Sequence, residues 1–158
     1  MIQIKKVTDL NTFDITTILE SSLSEGYRFI RRLIEEYKNG TNRFDKKGEI
    51  LLIIELEKQV IGIGGLNIDP YLNEEQVGRI RHIYIDPKHR GKRIGKQLVE
   101  LLVEESSKDF KKLRLLTENP IADQLYQKVG FKKVEGHYKA SHVLERMDQV
   151  IQEGLSIS

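Results

Sequence analysis

The segment from Lys88 to Lys96 contains the residues best suited to binding an anion. It holds five lysine or arginine side chains, one histidine and no acidic residue, together with Gly91 and Gly95. The alternating pattern before it predicts a strand, and the apolar spacing after it predicts a helix. Such a loop presents free backbone N–H groups and the positive end of a helix dipole, so the segment predicts a phosphate-binding site.

The spacing of the glycines argues against two common nucleotide-binding loops. A nucleoside-triphosphate loop has four residues between its glycines, whereas three separate Gly91 from Gly95, and no Ser or Thr follows Lys96. A dinucleotide loop has the pattern Gly-x-Gly-x-x-Gly, and the other glycine cluster has Asn67 in place of the last glycine. The glycines of that cluster are instead interpreted as a β-bulge or a close backbone approach: Gly62, Gly64 and Gly65.

Residues Arg90–Gly95 resemble the pyrophosphate-binding loop of the GNAT superfamily of N-acetyltransferases, which use acetyl-coenzyme A and have the pattern Arg/Gln-x-x-Gly-x-Gly/Ala. Arg93 stands where that pattern has its first glycine. Two motifs in the right order make the resemblance specific, and the predicted order of strands and helices agrees with the family along nearly the whole chain. The second family motif is similar to this sequence at Asn119, Ala122, Leu125, Tyr126, Gly130 and Phe131.

The resemblance implies an enzyme that moves an acetyl group from acetyl-coenzyme A directly to a primary amine of a small molecule or peptide. It implies no metal and no covalent enzyme intermediate. It also implies that backbone groups of Ile83 and Ile85 pair with the pantetheine arm and polarise the thioester, and that Asn119 bonds the arm. The residues expected to bind the cofactor are Ile83, Tyr84, Ile85, Arg90, Gly91, Lys92, Arg93, Ile94, Gly95, Lys96, Asn119 and Tyr126.

Tyr126 and His82 are the candidate catalytic residues. Tyr126 matches the tyrosine that protonates the leaving thiolate in many family members, although a helical tyrosine can also serve packing alone. Many relatives have a glutamate base early in the fourth strand, where this sequence has Arg79, and an arginine cannot act as a base near neutral pH. His82 is preferred as the base because imidazole titrates close to working pH, with His142 and Glu118 also open. A water chain, or an acceptor amine that arrives neutral, would need no protein base.

Arg79 and Arg81 are the candidate acceptor-binding residues. Strand alternation predicts both on one face of the sheet and His82 on the opposite face. Two guanidiniums on one face could bind the carboxylate or phosphate of a small acidic or zwitterionic amine. The simpler alternative is that both pair with Glu55 or Glu57 on a neighbouring strand.

The composition argues against several classes of protein. The 158 residues are 39% hydrophobic and 32% charged, with a formal net charge of +2. The absence of cysteine excludes disulfide scaffolds, thiolate zinc sites, iron–sulfur clusters and cysteine nucleophiles. No apolar run is long enough to span a membrane and the amino terminus alternates, so we expect a cytoplasmic protein with no membrane partner. No nucleic-acid partner is expected either, because the net charge is small and the basic loop has no aromatic platform.

A different class of function stays open as the alternative. The missing glutamate would permit a non-catalytic module with the same fold, which binds acyl-coenzyme A or an interacting protein. Tyr126 argues against that interpretation. The identity of the acceptor amine is open, and so is the pairing of copies into a homodimer through a sheet edge.

The elements that must position these residues are predicted to form one α/β domain over residues 1–158. Its centre is a mixed, mostly antiparallel sheet of about seven strands, flanked by about four helices in the order β-α-α-β-β-β-α-β-α-β-β. The expected strands are Ile2–Val7, Glu49–Glu57, Val60–Leu66, Gly78–Ile85, Lys112–Thr117, Phe131–Tyr138 and Ser141–Met147. The expected helices are Asp9–Ser24, Tyr27–Tyr37, Lys92–Lys108 and Pro120–Val129, and residues 149–158 are left unassigned.

Overall fold

The computed structural model describes residues 1–146. The strands in this part of the chain are β1 (Ile2–Lys6), β2 (Ile50–Leu56), β3 (Gln59–Ile68), β4 (Val77–Ile85), β5 (Lys112–Leu115), β6 (Lys132–Lys133) and β7 (His142–Glu145). The α-helices there are α1 (Thr16–Ser24), α2 (Phe29–Asn39), α3 (Ile94–Ser106) and α4 (Pro120–Val129). The strands form a seven-stranded sheet in the order β1-β2-β3-β4-β5-β7-β6. The predicted fold class and the order of the elements are confirmed.

The sheet opens between β4 and β5. These two strands are parallel neighbours, and they pair only over Val77–Arg79 and Lys112–Arg114. β4 continues to Ile85. On its other side it pairs with residues Gly62–Ile68 of β3. Beyond Arg79, therefore, the edge of β4 that faces β5 has no strand partner among the described residues.

Two apolar cores lie on the two faces of the sheet. Leu98 and Leu102 of α3 are buried in the core that α3 and α4 cover, whereas Ile18 of α1 and Leu33 of α2 are buried in the other. Residues 50–54 contribute alternately to both cores, as the continuous apolar run of β2 predicts. Burying one such side chain stabilises the fold by about 1.5–3 kcal/mol. Two helical layers therefore fix the sheet from opposite sides.

The first predicted helix is interrupted. A 3₁₀ turn covers Leu10–Thr12, and α1 begins only at Thr16. The Asp9 carboxylate accepts a hydrogen bond from the backbone N–H of Asn11 at 3.0 Å, and the Asp14 carboxylate accepts one from that of Thr16, also at 3.0 Å. Because these bonds compete with helical backbone bonds, the prediction of one helix over Asp9–Ser24 is wrong in its first half.

The carboxy-terminal strands are shorter than predicted. β6 contains two residues instead of the predicted Phe131–Tyr138. Gly136 and Lys139 have φ values of 77° and 56°, so the chain turns there and leaves the extended conformation. The end of the predicted strand Ser141–Met147 and the unassigned segment 149–158 lie outside the described residues. Elsewhere, Gly40 and Gly130 end α2 and α4 in the left-handed conformation, at φ 84° and 119°.

A β-bulge interrupts β4 at His82. His82 and Ile83 together lie opposite Gly64 of β3, and His82 has a φ of 61°. A Cβ at Gly64 would lie 2.6 Å from Ile83, and one at Gly65 would lie 2.5 Å from Phe44. The interpretation of this glycine cluster as a bulge or a close backbone approach is confirmed in both respects.

The bulge changes the face on which His82 lies. Ile80 packs in the core covered by α3 and α4, so its neighbours Arg79 and Arg81 lie on the α2 side of the sheet. The His82 ring contacts Phe29 of α2, at a ring centroid distance of 6.3 Å, and so lies on that same side. The prediction that His82 lies on the face opposite Arg79 is therefore wrong, because the extra residue of the bulge reverses the alternation.

Candidate active site

A cavity of about 720 Å³ occupies the opening between β4 and β5. Its lining includes β4 from Arg79, the start of α3, residues 115–117 at the end of β5, and α4 as far as Tyr126. Lys92 is exposed and lies outside the lining. The other predicted site residues all line the cavity: Arg79, Arg81, His82, Ile83, Tyr84, Ile85, Arg90, Gly91, Arg93, Ile94, Gly95, Lys96, Asn119 and Tyr126.

The anion loop, residues 90–96, ends with an uncapped helix start. Arg93 is the N-cap residue of α3 and makes no side-chain cap hydrogen bond. The first N–H groups of a helix have no partner within the helix, so those of α3 are free to bind a ligand. Gly91 has a φ of 81°, and a Cβ at Gly95 would only touch Ile85 at 3.7 Å. The loop therefore brings backbone donors and positive side chains to the cavity wall.

Arg93 adopts a conformation that glycine would adopt at lower cost. Its φ and ψ are 63° and 17°, in the left-handed region. This conformation costs a residue with a Cβ about 1–2 kcal/mol. The loop thus keeps the backbone geometry that a glycine provides, although the family pattern's first glycine is absent.

Arg90 is engaged by protein groups. Its Nη atoms donate to both carboxylate oxygens of Glu25, at 2.7 and 2.8 Å, and its Nε donates to the Ile85 carbonyl at 2.9 Å. The Tyr84 hydroxyl donates to the same carboxylate at 2.5 Å. The bonds from Arg90 lower the pKa of Glu25. Arg90 therefore connects the end of α1 to the end of β4, and no local sequence pattern could identify Glu25 as its partner.

Tyr126 lies on the α4 side of the cavity with its ring buried. The ring packs against Phe131 and His142, at centroid distances of 5.8 and 5.9 Å. Burial raises the pKa of Tyr126, so the phenol stays protonated at neutral pH. Within residues 1–146 its hydroxyl has no hydrogen-bond partner. The structure thus brings a protonated, uncommitted hydroxyl to the cavity.

Asn119 caps α4 as its sequence context predicts. Its Oδ1 accepts hydrogen bonds from the backbone N–H groups of Ile121 and Ala122, at 2.8 and 3.2 Å. The side-chain NH₂ makes no hydrogen bond to a described residue. The cap therefore holds a free amide donor at the edge of the cavity.

His142, one of the alternative bases, lies outside the lining of the cavity. It is buried, with Nε2 2.6 Å from Asp123 of α4 and Nδ1 2.7 Å from the Ser141 hydroxyl. The bond to His142 lowers the pKa of Asp123. His142 thus connects β7 to α4, behind Tyr126. Glu118 is exposed and also lies outside the lining.

Arg79 is neutralised by a buried carboxylate. The Asp69 Oδ2 atom accepts a bond from Arg114 Nη1 at 2.9 Å and lies 3.4 Å from Arg79 Nη1. The Tyr71 ring covers the Arg79 guanidinium, 4.7 Å from the ring centroid. Burial lowers the pKa of Arg79, and Asp69 opposes that shift. Arg79 does pair with an acid, but that acid is at the end of β3, and neither Glu55 nor Glu57 is its partner.

His82 is buried without a hydrogen-bond partner. The residue lines the cavity and is 8% exposed, and neither ring nitrogen has a hydrogen-bond partner of good geometry among the described residues. Burial lowers the pKa of His82 to about 3, with help from the positive charges of Arg81 and Arg32. The ring is therefore neutral at pH 7, and it is a weak base.

One wall of the cavity, beside α2, includes residues that the sequence motifs did not indicate. They come from the start of α2 and from the loop after β3, and nothing in the local sequence marks them. Among residues 1–146, no aspartate or glutamate lines this cavity. We define the α2 wall as Tyr27, Phe29, Arg32, Tyr71, Arg79, Arg81 and His82.

An adjoining cavity of about 570 Å³ has the opposite character. It shares Tyr71 and Arg81 with the first cavity and lies among residues 36–49 and 67–75. Three basic side chains line it, against a larger set of acids: Glu36, Asp45, Glu49, Asp69, Glu74 and Glu75. A positive cavity and an acidic one therefore meet at the α2 wall.

Two other features are absent from the same part of the chain. Residues 1–146 contain no group of three or more His, Asp or Glu side chains placed to hold a metal ion. Across that range, no helix combines the length and the apolarity needed to cross a bilayer.

Comparison with known proteins agrees with the fold. The model of the acetyltransferase (GNAT) family matches residues 15–131, which is more than half of the chain. A protein from Exiguobacterium sp. 255-15, described as an acetyltransferase, has 27% sequence identity and a TM-score of 0.85; the match covers 96% of this chain and 98% of that one.

More distant structures share the fold. A protein from Salmonella typhimurium described as an acetyltransferase, solved with its cofactor acetyl-CoA, has 15% identity and a TM-score of 0.66; the match covers 92% of this chain and 94% of that one. Glucosamine-6-phosphate N-acetyltransferase from Arabidopsis thaliana has 20% identity and a TM-score of 0.59 over 87% and 96%. With the family match and this fold, the chain belongs to the GNAT family of acetyltransferases.

Proposed function

We propose that the protein transfers an acetyl group from acetyl-coenzyme A directly to a primary amine of a small molecule or peptide, in the cavity between β4 and β5. The observation that carries this proposal is the unpaired edge of β4. After Arg79 this edge borders a cavity of about 720 Å³ that runs to the uncapped start of α3. An extended ligand could pair with the strand at one end and place phosphates on the helix at the other.

The anion loop fits the phosphates of coenzyme A. Free N–H groups at the start of α3 give directional donors, and Arg93 and Lys96 add positive charge. The Ile85 carbonyl already accepts a bond from Arg90, so we assign the pantetheine arm mainly to the backbone of Ile83. Asn119 contributes its free side-chain NH₂, and Arg90 acts by holding the loop.

The reaction needs a group that protonates the leaving thiolate, and we assign this role to Tyr126. The N–C bond forms while the C–S bond breaks, so the leaving thiolate gains a proton and the nitrogen loses one. The raised pKa of Tyr126 keeps its hydroxyl protonated and able to donate. His82 is too weak a base to deprotonate an ammonium group. We therefore assign it to accept a hydrogen bond from an amine that arrives neutral or gives its proton to water.

Thermal unfolding with and without millimolar acetyl-coenzyme A tests the cofactor assignment. A ligand that binds only the native state stabilises it by about 2.7 kcal/mol at one hundred times its dissociation constant, so the midpoint should rise. Gly95→Trp should abolish the rise by filling the cavity, whereas Gly95→Ala should keep it, because a Cβ there meets only an ordinary contact. No rise for the unmodified protein would contradict the assignment.

A non-catalytic acyl-coenzyme A-binding or protein-interaction module is the second candidate, and one observation favours it. The cavity lining has no carboxylate that could serve as a base. Thiol release from acetyl-coenzyme A in the presence of primary amines separates the two functions. Release above the rate without amine supports the transferase, whereas cofactor binding without any release supports the module.

Three further predictions from the sequence belong with this proposal. We infer one domain over residues 1–158 and a cytoplasmic location. The third prediction concerns the pairing of two copies into a homodimer. A single cooperative unfolding transition is expected for one domain, and sedimentation would give the oligomeric state.

A further inference from the structure

Two of the three arginines of the α2 wall form no ion pair with a described residue, although Arg81 also borders the acidic cavity. Of its three arginines, Arg79 shares the buried Asp69 carboxylate with Arg114. Arg81 makes only a 3.4 Å contact with the neutral amide oxygen of Asn67. Neither Arg32 nor Arg81 forms an ion pair with any residue of the range 1–146, and both line the cavity.

His82 adds an unsatisfied polar group to the same wall. The residue is 8% exposed, and neither ring nitrogen has a hydrogen-bond partner of good geometry among the described residues. Buried polar atoms are nearly always hydrogen-bonded, so an orphaned ring beside a cavity indicates a polar ligand. The bulge in β4 places His82 on the same side of the sheet as Arg81, its neighbour in sequence.

We propose that the acceptor is a small amine that also carries an anionic group, with the anion bound by Arg32 and Arg81 and the amine held by His82. This inference rests on the proposed transferase function. A guanidinium pairs with a carboxylate or a phosphate through two parallel bonds, and both groups are recognised by the same chemistry. A neutral imidazole accepts a hydrogen bond from an amine N–H. Arg32, Arg81 and His82 line the same cavity, so one small molecule that carries both an anionic group and an amine can reach them.

The arrangement also argues against cationic acceptors. A polyamine in this cavity would face arginines and no carboxylate. The adjoining cavity, which is lined by more acids than bases, is the place where a second ammonium group would be favourable. Selectivity between anionic and cationic amines therefore tells which cavity receives the acceptor.

The first experiment measures thiol release from acetyl-coenzyme A by the full chain with four kinds of acceptor. They are amino acids, amino-sugar phosphates, the uncharged analogues of both (amino acid amides and free amino sugars), and polyamines. We expect an anionic acceptor to exceed its uncharged analogue at least tenfold in kcat/KM. The carboxylate and phosphate arms show which anion is used. A preference for polyamines or uncharged amines would overturn the inference while leaving the transferase function in place.

The second experiment uses matched arginine variants. Arg32→Gln and Arg81→Gln should each raise KM for the anionic acceptor about tenfold more than KM for its uncharged analogue, because the lost contact binds the anion. Arg31→Gln is the control, since Arg31 is on the same helix, exposed, and paired with Glu35. An equal loss for charged and uncharged acceptors would point to a structural role and contradict the assignment.

A direct binding measurement separates the proposed transferase function from the proposed anion-binding site. If no amine releases thiol, the transferase proposal fails, and calorimetry with amino acids in the presence of coenzyme A still tests the anion site. Binding that Arg81→Gln removes and Arg31→Gln retains would support the site alone. Absence of binding by the unmodified protein would overturn it.

Discussion

The anion loop comes from seven consecutive residues, whereas the α2 wall collects side chains from α2, β4 and the loop after β3. The charges of the anion loop are largely exposed and act beside backbone donors that the start of α3 supplies. Those of the α2 wall include Arg79, which is 5% exposed and relies on a single carboxylate, that of Asp69. The contrast indicates that removing the buried carboxylate beside Arg79 should disturb the fold most, and that changes in the anion loop should disturb it least.

Asp69→Asn should have the largest effect on stability. The substitution keeps the size of the side chain but leaves the guanidiniums of Arg79 and Arg114 buried beside each other without an anion. Removing one partner of a buried ion pair costs about 3–5 kcal/mol. Denaturant unfolding measures this loss.

The control for Asp69→Asn is Glu105→Gln, which removes an exposed ion pair with Lys108. Such pairs contribute about 0–1 kcal/mol. Similar losses of stability in the two variants would contradict the conclusion that the fold depends on the buried Asp69 carboxylate beside Arg79 and Arg114.

Tyr126→Phe should have the largest effect on catalysis. Loss of a general acid lowers the rate by about one hundredfold or more. Stability should hardly change, because the hydroxyl has no hydrogen-bond partner within residues 1–146 and the ring packing is kept. Measuring kcat tests the role of the hydroxyl in catalysis, and the thermal midpoint tests its contribution to stability. An unchanged kcat would mean that Tyr126 serves only in packing.

The difference between the two regions also explains what could be predicted from the sequence. The loop with Gly91 and the helix that follows are local features of the sequence, so their positions could be predicted from it. The bulge at His82 leaves a trace in the sequence, because the spacing of the isoleucines changes from three residues, Ile80 to Ile83, to two, but only the pairing with β3 locates the insertion. Partners such as Glu25 and Asp69 are far from Arg90 and Arg79 in sequence, and any of the acidic residues could have been chosen.

Glu25→Gln tests the contact that fixes the anion loop to α1, and a smaller effect is expected. The pair with Arg90 is well aligned but partly exposed, so about 1 kcal/mol or less should be lost at pH 7. The pKa of Glu25 is lowered in the folded protein, so the pair stabilises the fold above the unfolded pKa of about 4.3. This contribution disappears as the pH falls through the folded pKa.

The measurement for Glu25→Gln is therefore a comparison of stability at neutral and acidic pH. The difference between the variant and the unmodified protein should shrink toward zero below about pH 4. A difference that persisted in acid would mean that the charge of Glu25 is not what holds the loop.

Arg93→Gly should have the smallest effect, and in the opposite direction. The left-handed conformation of Arg93 costs about 1–2 kcal/mol, which glycine avoids, while glycine costs about 0.5–1 kcal/mol through the entropy of the unfolded chain. A net gain of about 0.5 kcal/mol should appear in denaturant unfolding, with Lys92→Gly as the control in the same loop. If the variant also kept its affinity for acetyl-coenzyme A, the backbone of this loop would matter more than the Arg93 charge. A loss of affinity with the expected gain in stability would show that the arginine is retained for its contact with the phosphates, at the cost of backbone strain.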